Sequence, residues 1–299
     1  MKNYKFGYLY LILTFTIWGS LYVVSKFVLN RLPVFTISFL RFFIAGVVML
    51  FVLKRKKLPH IEKEDYKYVI IIGVLGYFIA ISAQLIGTQL VGASVASLVN
   101  SLNPVVIIFA AAVILKEKLT LKKIAGVLFS LFGVYLIIGG NSSGVIYGVL
   151  VSLFSVVVWS IVSVLMRKVT QKYDPLQITT YGILIAAGCN FPIALFQTLT
   201  VKSVSWDLPS ILSLLYMGII CTGLAHFLWN KCLSVLPAGN CSLFYPIQPV
   251  TSVLFGVLFL GETLTCKMLL GGVCIVAGIL FCFISVRLPF MARSESHGE

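Results

Sequence analysis

Apolar residues run along this chain in long, nearly uninterrupted segments, and polar connections separate each segment from the next. A helix that crosses a bilayer needs about 20 predominantly apolar residues, and the chain contains ten segments of suitable length. Because most of the connections are short, we expect neighbouring helices to lie antiparallel. The predicted helices are 6–29, 34–53, 68–90, 93–115, 122–140, 144–166, 176–198, 209–232, 238–260 and 267–288.

The segment that begins at Ala93 recurs, without gaps, in the segment that begins at Ala238, 145 positions later. A fixed internal period indicates repeated structural units. We therefore expect a first five-helix repeat over 1–140, a second over 141–290, and a disordered tail over 291–299. The most informative identities are the pairs Pro104 and Pro249, Glu117 and Glu262, Gly126 and Gly271, and Gly133 and Gly278.

Composition places the chain in a membrane. Of its 299 residues 60% are hydrophobic and only 11% are charged, with a mean hydropathy of +1.05, whereas soluble domains carry about 25% charged residues. The net charge of +14 does not indicate a nucleic-acid partner, because the basic residues lie in short clusters between the apolar segments. With the N-terminus inside, 18 of the 23 lysines and arginines fall in inner connections and three in outer ones, whereas Lys26 and Arg41 lie within helices. This bias predicts that both termini are cytosolic.

Five is an odd number of helices, so the second repeat is inverted across the membrane relative to the first. Inverted repeats of this kind are typical of secondary transporters, in which one repeat moves against the other around a site near the bilayer midplane.

The apolar run after the basic start MKNYK shows no cleavage site, so we expect it to be retained as a helix. No G-x-x-x-x-G-K-[ST] motif is present in the sequence, which leaves a substrate or ion gradient as the energy source.

The motif WGSLYVVSK at 18–26, the motif LRFFIAG at 40–46, and the repeated pattern that ends in KEKLT and GETLT resemble the EamA branch of the drug/metabolite transporter superfamily. The resemblance covers about residues 6–288. It implies an all-α integral membrane protein with ten transmembrane helices, arranged as two inverted five-helix repeats in the plasma or inner membrane. It also implies that a small organic metabolite crosses through a central cavity between helices 1, 3, 4, 6, 8 and 9. It does not identify that metabolite.

No acidic residue lies in the middle of a predicted helix. Acidic groups inside a bilayer are common partners of cations and protons, so their absence argues against a cationic drug substrate and against carboxylate-based proton coupling. The seven cysteines form no CxxC pair and no metal-ligand spacing, and we expect neither a metal nor a cofactor. All nine acids fall in connections or the tail: Glu62, Glu64, Asp65, Glu117, Asp174, Asp207, Glu262, Glu295 and Glu299.

Polar side chains beside prolines mark the middle of predicted helices 4 and 9. Asn100 and Asn103 in the first repeat correspond to Tyr245 and Gln248 in the second, and Asn103 and Gln248 each precede a proline. Proline removes a helical hydrogen bond and leaves a carbonyl about one turn earlier without its partner. A membrane tolerates such a carbonyl where it faces a cavity or finds another donor. These four side chains either bind substrate or form hydrogen bonds between helices.

Aromatic residues give a second group of candidates. Trp18 and Trp159 occupy equivalent mid-depth positions in helices 1 and 6, 141 residues apart. Tryptophan in membrane proteins usually lies at the interface, so this pair indicates either core packing or a cavity wall, and the repeat symmetry favours the wall. Tyr22 lies one turn from Trp18 on the same helical face.

His226 is the only histidine within a predicted helix, and Trp229 of the same helix aligns with Gln84 in the first repeat. A histidine can titrate near neutral pH and couple protons to transport. A neutral, hydrogen-bonded histidine that faces the cavity is the favoured interpretation. We include His226, Trp229 and Gln84 among the candidate substrate-binding residues.

Two basic residues and a set of glycines have structural interpretations. Arg41 lies about 10 Å into helix 2 by helical rise and either binds backbone carbonyls or attracts an anionic substrate. The structural role is favoured, because helix 2 lies outside the implied cavity. Lys26 lies near a helix end, from which its amine can reach the interface.

Small residues in helices 5 and 10 predict close helix packing and leave a homodimer contact open: Gly126, Gly133, Gly271, Gly272 and Gly278.

Together these features predict a secondary transporter for a small neutral or zwitterionic metabolite, with an amino acid or a derivative and export favoured. Its expected partners are that substrate and the lipid bilayer, and no enzymatic activity is expected. One alternative is an intramembrane enzyme for lipid-linked substrates, which the lack of a mid-membrane acid or an H-E-x-x-H motif disfavours. The other is a non-transporting membrane scaffold, which the lack of a soluble domain disfavours.

Overall fold

A computed structural model describes the chain over residues 4–114, 121–138, 143–201, 206–242 and 244–283. Within these ranges the chain consists of helices and their connections, without a strand. Glu117 and the predicted tail at 291–299 lie outside the described residues.

The helices fall into two sets of five. The first set is α1 (Tyr4–Leu29), α2 (Val34–Lys54), α3 (Tyr66–Ile71 continuing through Ile72–Ala80 and Ile81–Val91), α4 in two parts, α4a (Ala93–Asn100) and α4b (Asn103–Ile114), and α5 (Leu121–Ile138). The second set is α6 (Ser143–Thr170), α7 (Pro175–Thr200), α8 (Leu208–Tyr216 continuing through Met217–Leu224 and Ala225–Val235), α9 in two parts, α9a (Ala238–Ser242) and α9b (Ile247–Leu260), and α10 (Cys266–Phe283).

Length and apolar composition make most of these helices membrane-spanning. Within the described residues, seven stretches are long and apolar enough to cross a bilayer, and they correspond to α1, α2, α3, α6, α7, α8 and the combined α9. Shorter apolar helices lie in α4 and α10, and α5 has 18 residues. Large apolar side chains on the outer faces are exposed, among them Phe196, Leu199 and Phe259. In a bilayer these side chains face lipid.

The two repeats share their irregularities as well as their helices. The π-helical stretch Ile72–Ala80 of α3 begins 145 residues before the π-helical stretch Met217–Leu224 of α8. The break between α4a and α4b likewise corresponds to the break between α9a and α9b. π-helical turns inside α-helices occur frequently at functional sites, and broken helices in membranes occur where their free backbone groups are buried in protein or line a cavity. The irregular backbone therefore identifies α3, α4, α8 and α9 as the helices that shape the centre.

The contacts between helices also repeat from one half of the chain to the other. α2 packs along its counterpart α7, and α5 packs along its counterpart α10. α1 packs against α9b as α6 packs against α4b, and α3 packs against α6 as α8 packs against α1. Each of these contacts has its equivalent in the other repeat, so the two halves build one core in which α1, α3, α4, α6, α8 and α9 meet.

The glycines of α5 and α10 lie in the contact between these two helices. A Cβ atom at Gly133 would lie 2.5 Å from the backbone oxygen of Gly271, and one at Gly278 would lie 2.5 Å from that of Gly126. The predicted close packing is therefore intramolecular. Because these glycines pack against a helix of the same chain, they give no support to a homodimer contact.

Connections at the two ends of the bundle tie the repeats together. Lys172 forms ion pairs with Glu62 and Asp65 at 2.6 and 2.7 Å, which joins the α6–α7 connection to the α2–α3 connection. In the equivalent contact, Arg31 lies 3.4 Å from Asp207. Asp207 also accepts a hydrogen bond from the backbone nitrogen of Ser210 at the start of α8. Hydrogen bonds from Ser210 and the nearby Arg31 guanidinium hold the pKa of Asp207 below its ordinary value.

Glu262 caps a helix of the other repeat. Its carboxylate accepts hydrogen bonds from the backbone nitrogens of Ala93 and Ser94 at 2.7 and 3.0 Å, and from the Ser94 hydroxyl. Gly92 precedes them at φ 85°, and a Cβ atom there would lie 2.8 Å from the carboxylate. A negative charge at a helix N-terminus is favourable. Glu262 thus fixes the start of α4a from its predicted place in the connection between α9 and α10.

Candidate functional site

A cavity lies at the centre of the bundle, where the broken and π-helical segments meet. Its volume is about 30 Å³, which is room for about two water molecules. A metabolite therefore enters only when the surrounding helices move apart. The lining residues are Trp18 and Leu21 of α1, Arg41 of α2, Ala80, Ile81 and Gln84 of α3, Asn100 of α4a, Ser155 and Trp159 of α6, His226 of α8, Tyr245 in the turn before α9b, and Gln248 in the first turn of α9b.

Most of the candidate residues from the sequence meet in this cavity. Seven line it directly: Trp18, Gln84, Asn100, Trp159, His226, Tyr245 and Gln248. The other three, Tyr22, Asn103 and Trp229, are buried beside it without lining it. The structure also brings in Arg41, which we expected to lie away from the cavity.

The two polar residues that precede prolines have different contacts. Asn103 donates through Nδ2 to the backbone oxygen of Asn100 at 2.6 Å and to the Asn100 side-chain oxygen at 2.7 Å. It therefore satisfies the carbonyl that the following proline leaves without a helical partner. Ser160 of α6 donates to Asn103 Oδ1 at 2.8 Å. Gln248, the repeat counterpart of Asn103, lines the cavity, and its Oε1 has no hydrogen-bond partner within the described chain.

Tyr22 and Trp229 contact residues that line the cavity but do not line it themselves. Gln84 donates to the hydroxyl of Tyr22 at 2.5 Å, which orients the amide of Gln84. Trp229 is fully buried and packs against Trp18 and Tyr245, with ring centroids 5.8 Å away in each case. These two residues hold lining side chains in place.

Aromatic rings surround His226. The ring centroids of Trp18, Tyr77 and Trp159 lie 5.1, 5.1 and 5.5 Å from that of His226. Its Nδ1 lies 3.0 Å from the backbone oxygen of Thr222. A carbonyl oxygen can only accept, so Nδ1 carries the hydrogen in this contact, and Nε2 is the acceptor of the neutral ring.

Both cavity tryptophans are anchored in the second repeat. Trp159 of α6 donates to the hydroxyl of Tyr245 at 3.0 Å. Trp18 of α1 donates to the backbone oxygen of Cys221 in the π-helical stretch of α8, at 3.3 Å. Their ring centroids are 6.1 Å apart with near-perpendicular planes, a favourable arrangement for two aromatic rings. The pair therefore forms a fixed part of the wall at the junction of the two repeats.

The structure corrects the position of Arg41. α2 packs against the π-helical stretch of α8, and a Cβ atom at Gly218 would lie 3.2 Å from the Arg41 backbone oxygen. Close approach at this glycine carries the guanidinium to the cavity, where Nε donates to the hydroxyl of Thr222 at 2.8 Å. The sequence did not reveal this contact, because neither the rotation of α2 nor the π-helical backbone follows from the apolar pattern.

Comparison with known proteins places the chain in a family. The sequence profile of the EamA-like transporter family matches residues 5–139 and again residues 146–284. The chain belongs to the EamA-like transporter family. The predicted family is confirmed. The first match covers the first set of five helices, and the second match covers the second set.

Relatives of this EamA-like protein are transporters by name. An uncharacterized transporter of Archaeoglobus fulgidus is 28% identical, over 93% of this chain and 97% of that protein. A probable amino-acid metabolite efflux pump of Salmonella typhimurium is 26% identical, over 97% of this chain and 98% of that protein. A solved crystal structure shares the fold with a TM-score of 0.70 at 22% identity, over 93% of this chain and 98% of that one. The EamA-like protein is thus a multi-pass membrane transporter with the predicted all-α architecture of ten helices in two inverted five-helix repeats.

Proposed function

We propose that this EamA-like protein is a secondary transporter that carries an amino acid, or a similar small neutral or zwitterionic metabolite, by alternating access. The observation that carries the proposal is the position of the cavity, where hydrogen-bonding groups and aromatic rings from both repeats meet beside the breaks of α4 and α9. A site between two inverted repeats is exposed to one side and then the other as the repeats move against each other.

The ten candidate residues take two roles in this proposal. The side chains that contact the substrate are Trp18, Gln84, Asn100, Trp159, His226, Tyr245 and Gln248. Their chemistry is aromatic and polar without an acid, which favours a ligand with both apolar surface and hydrogen-bonding groups. Tyr22, Asn103 and Trp229 position them. The transport activity itself needs none of the catalytic groups of an enzyme.

The direction and the membrane are supported by the relatives and by the charge pattern. The name of the Salmonella typhimurium relative supports export of an amino-acid metabolite. The excess of basic residues in the inner connections supports a plasma or inner membrane location with cytosolic termini. Each repeat, 1–140 and 141–290, then forms one of the moving bodies.

Counterflow in proteoliposomes tests this function. Vesicles loaded with one unlabelled L-amino acid should accumulate the same radiolabelled amino acid when they contain the protein, because a carrier exchanges internal for external substrate. Gln84→Ala should reduce the exchange, because Gln84 lines the cavity. Gln89→Ala is the matched control, since Gln89 is an exposed glutamine on the same helix. Failure to exchange any standard L-amino acid or its simple derivatives would refute the proposed substrate class.

A growth assay tests the direction. Cells that overexpress an exporter should tolerate toxic amino-acid analogues better than cells that carry the empty vector. Increased sensitivity to the same analogues would show that the protein imports them.

A further inference from the structure

The cavity contains a buried cation with unused donors. Arg41 has 0% of its surface exposed, and its Nε is occupied by the hydroxyl of Thr222 at 2.8 Å. Its two terminal nitrogens have no hydrogen-bond partner within the described chain, and its Cζ lies 5.4 Å from the ring centroid of Phe42. Buried polar groups in folded proteins are almost always paired, so the unused end of this guanidinium requires a partner.

Among the described residues, no acid forms an ion pair with Arg41. All nine acids of the chain lie in predicted connections or in the tail. Among the described residues, ion pairs involve the basic residues Arg31, Lys56 and Lys172, and Arg41 takes part in none of them. A charge inside a membrane protein without a partner is unfavourable and usually marks a functional site. The missing partner is therefore expected to come from outside the chain.

The surrounding backbone fixes the guanidinium in one orientation. Thr222 donates its hydroxyl to the backbone oxygen of Met217, five residues earlier in the π-helical stretch, at 2.7 Å. The lone pairs of this hydroxyl remain available for Arg41 Nε. The backbone oxygen of the same Thr222 holds His226, so Arg41 and His226 are positioned by one residue. With Nε occupied, the planar end of Arg41 retains the two-nitrogen geometry that matches a carboxylate.

We infer that Arg41 binds the carboxylate of the transported metabolite, and that this pair determines the substrate class. The inference rests on the proposed function and sharpens it. The guanidinium binds the carboxylate through two parallel hydrogen bonds, and the unpartnered Oε1 of Gln248 accepts a hydrogen bond from a donor such as the substrate ammonium. The rings of Trp18 and Trp159 contact the remaining apolar part. The ligand is a small carboxylate that also carries a donor, as in an α-amino acid.

Thermal unfolding of the purified full-length protein tests this assignment with matched ligands. Each standard L-amino acid is compared with its own carboxamide, which has the same side chain and ammonium but lacks the negative charge. In the wild-type protein, an amino acid that raises the unfolding midpoint should bind on the order of tenfold to a hundredfold more tightly than its carboxamide. Equal stabilisation by the acid and the carboxamide would overturn the inference without any variant.

Substitution of the arginine gives the second arm. Arg41→Gln and Arg41→Met should abolish the preference for the acid, because both remove the charge and the paired donors. Replacement of a buried charge without a partner by an apolar side chain is often tolerated, so Arg41→Met should remain folded without ligand. Arg55→Gln is the matched control, since Arg55 is exposed at the end of the same helix, and it should bind as the wild type does. Variants at Arg41 that retain the wild-type preference would contradict the inference.

A simple pair of probes separates this inference from the proposed function. Propanoate and propanamide report on the Arg41 contact without requiring transport. If no amino acid undergoes counterflow but propanoate stabilises the wild type more than Arg41→Gln, the proposed function fails and the carboxylate site remains. If amino acids are exchanged equally by the wild type and Arg41→Gln, the function stands and the carboxylate site is refuted.

Discussion

Asn103→Ala should destabilise the transporter and misplace a cavity group at the same time. Asn103 is fully buried and takes part in three hydrogen bonds that this change removes, two to Asn100 and one from Ser160. Side-chain hydrogen bonds in membrane bundles contribute about 0.6 kcal/mol each, so loss of the two bonds to the side chains of Asn100 and Ser160 costs about 1 kcal/mol. Loss of the third bond leaves the backbone oxygen of Asn100 without the donor that replaces its helical partner, at a cost of about 1–3 kcal/mol. We therefore expect a loss of about 2–4 kcal/mol in the free energy of unfolding.

Unfolding by SDS in mixed micelles, followed by far-UV circular dichroism, measures this loss. Ser160→Ala removes one of the three bonds and should cost about 0.6–1.7 kcal/mol. A double-mutant cycle between Asn103 and Ser160 should give a coupling of similar size. Asn100→Ala keeps the backbone carbonyl and its bond to Asn103, so its stability should stay closer to that of the wild type while counterflow falls. Wild-type stability for Asn103→Ala would refute the role of Asn103 as the residue that completes the break in α4.

Three further predictions concern other parts of the molecule. Gly133→Leu should prevent α5 from packing on α10, because a Cβ atom at this position would meet the backbone oxygen of Gly271. Size-exclusion chromatography should then show no monodisperse folded protein. Gly144→Ala, whose Cβ atom would have nothing within 4 Å, should behave as the wild type. His226→Phe should lower counterflow without flattening its pH profile, because aromatic rings surround this histidine and no acid is among the described residues that line the cavity. A flattened profile would show that His226 couples protons. Asp207→Ala should lower the unfolding temperature at neutral pH. The pKa of Asp207 is lowered in the folded protein. The stability that its ionised carboxylate contributes is therefore fully present above the unfolded pKa of about 4 and is lost as the pH falls through the folded pKa. The gap between variant and wild type should therefore close on acidification, and a gap independent of pH would contradict this prediction.

The repeat made much of the fold predictable from sequence. Apolar runs of membrane length predicted the helices, and the fixed offset predicted that they form two repeats of five. Pro104 and Pro249 predicted where α4 and α9 depart from regular helix. The aligned polar and aromatic residues then predicted seven of the residues that line the cavity.

The contacts that the sequence did not predict depend on how helices rotate and where the backbone departs from an α-helix. Asn103 and Gln248 occupy equivalent positions, yet Asn103 satisfies a carbonyl and Gln248 faces the cavity, a difference that only the packing of each helix determines. Arg41 reaches the cavity because α2 approaches the π-helical stretch of α8 closely at Gly218. The cap of α4a by Glu262 joins residues that are far apart in sequence. Local composition contains none of this information.

Accessibility of the cavity from the two membrane faces tests alternating access most directly. Ser155 lines the cavity on α6, and Ser155→Cys in a background whose native cysteines are replaced by alanine places one thiol there. A membrane-impermeant maleimide should label this thiol from either face of the membrane, and a transported amino acid should slow both reactions. Labelling from one face alone, or labelling that no transported amino acid affects, would contradict the proposal that substrate crosses the membrane through this cavity.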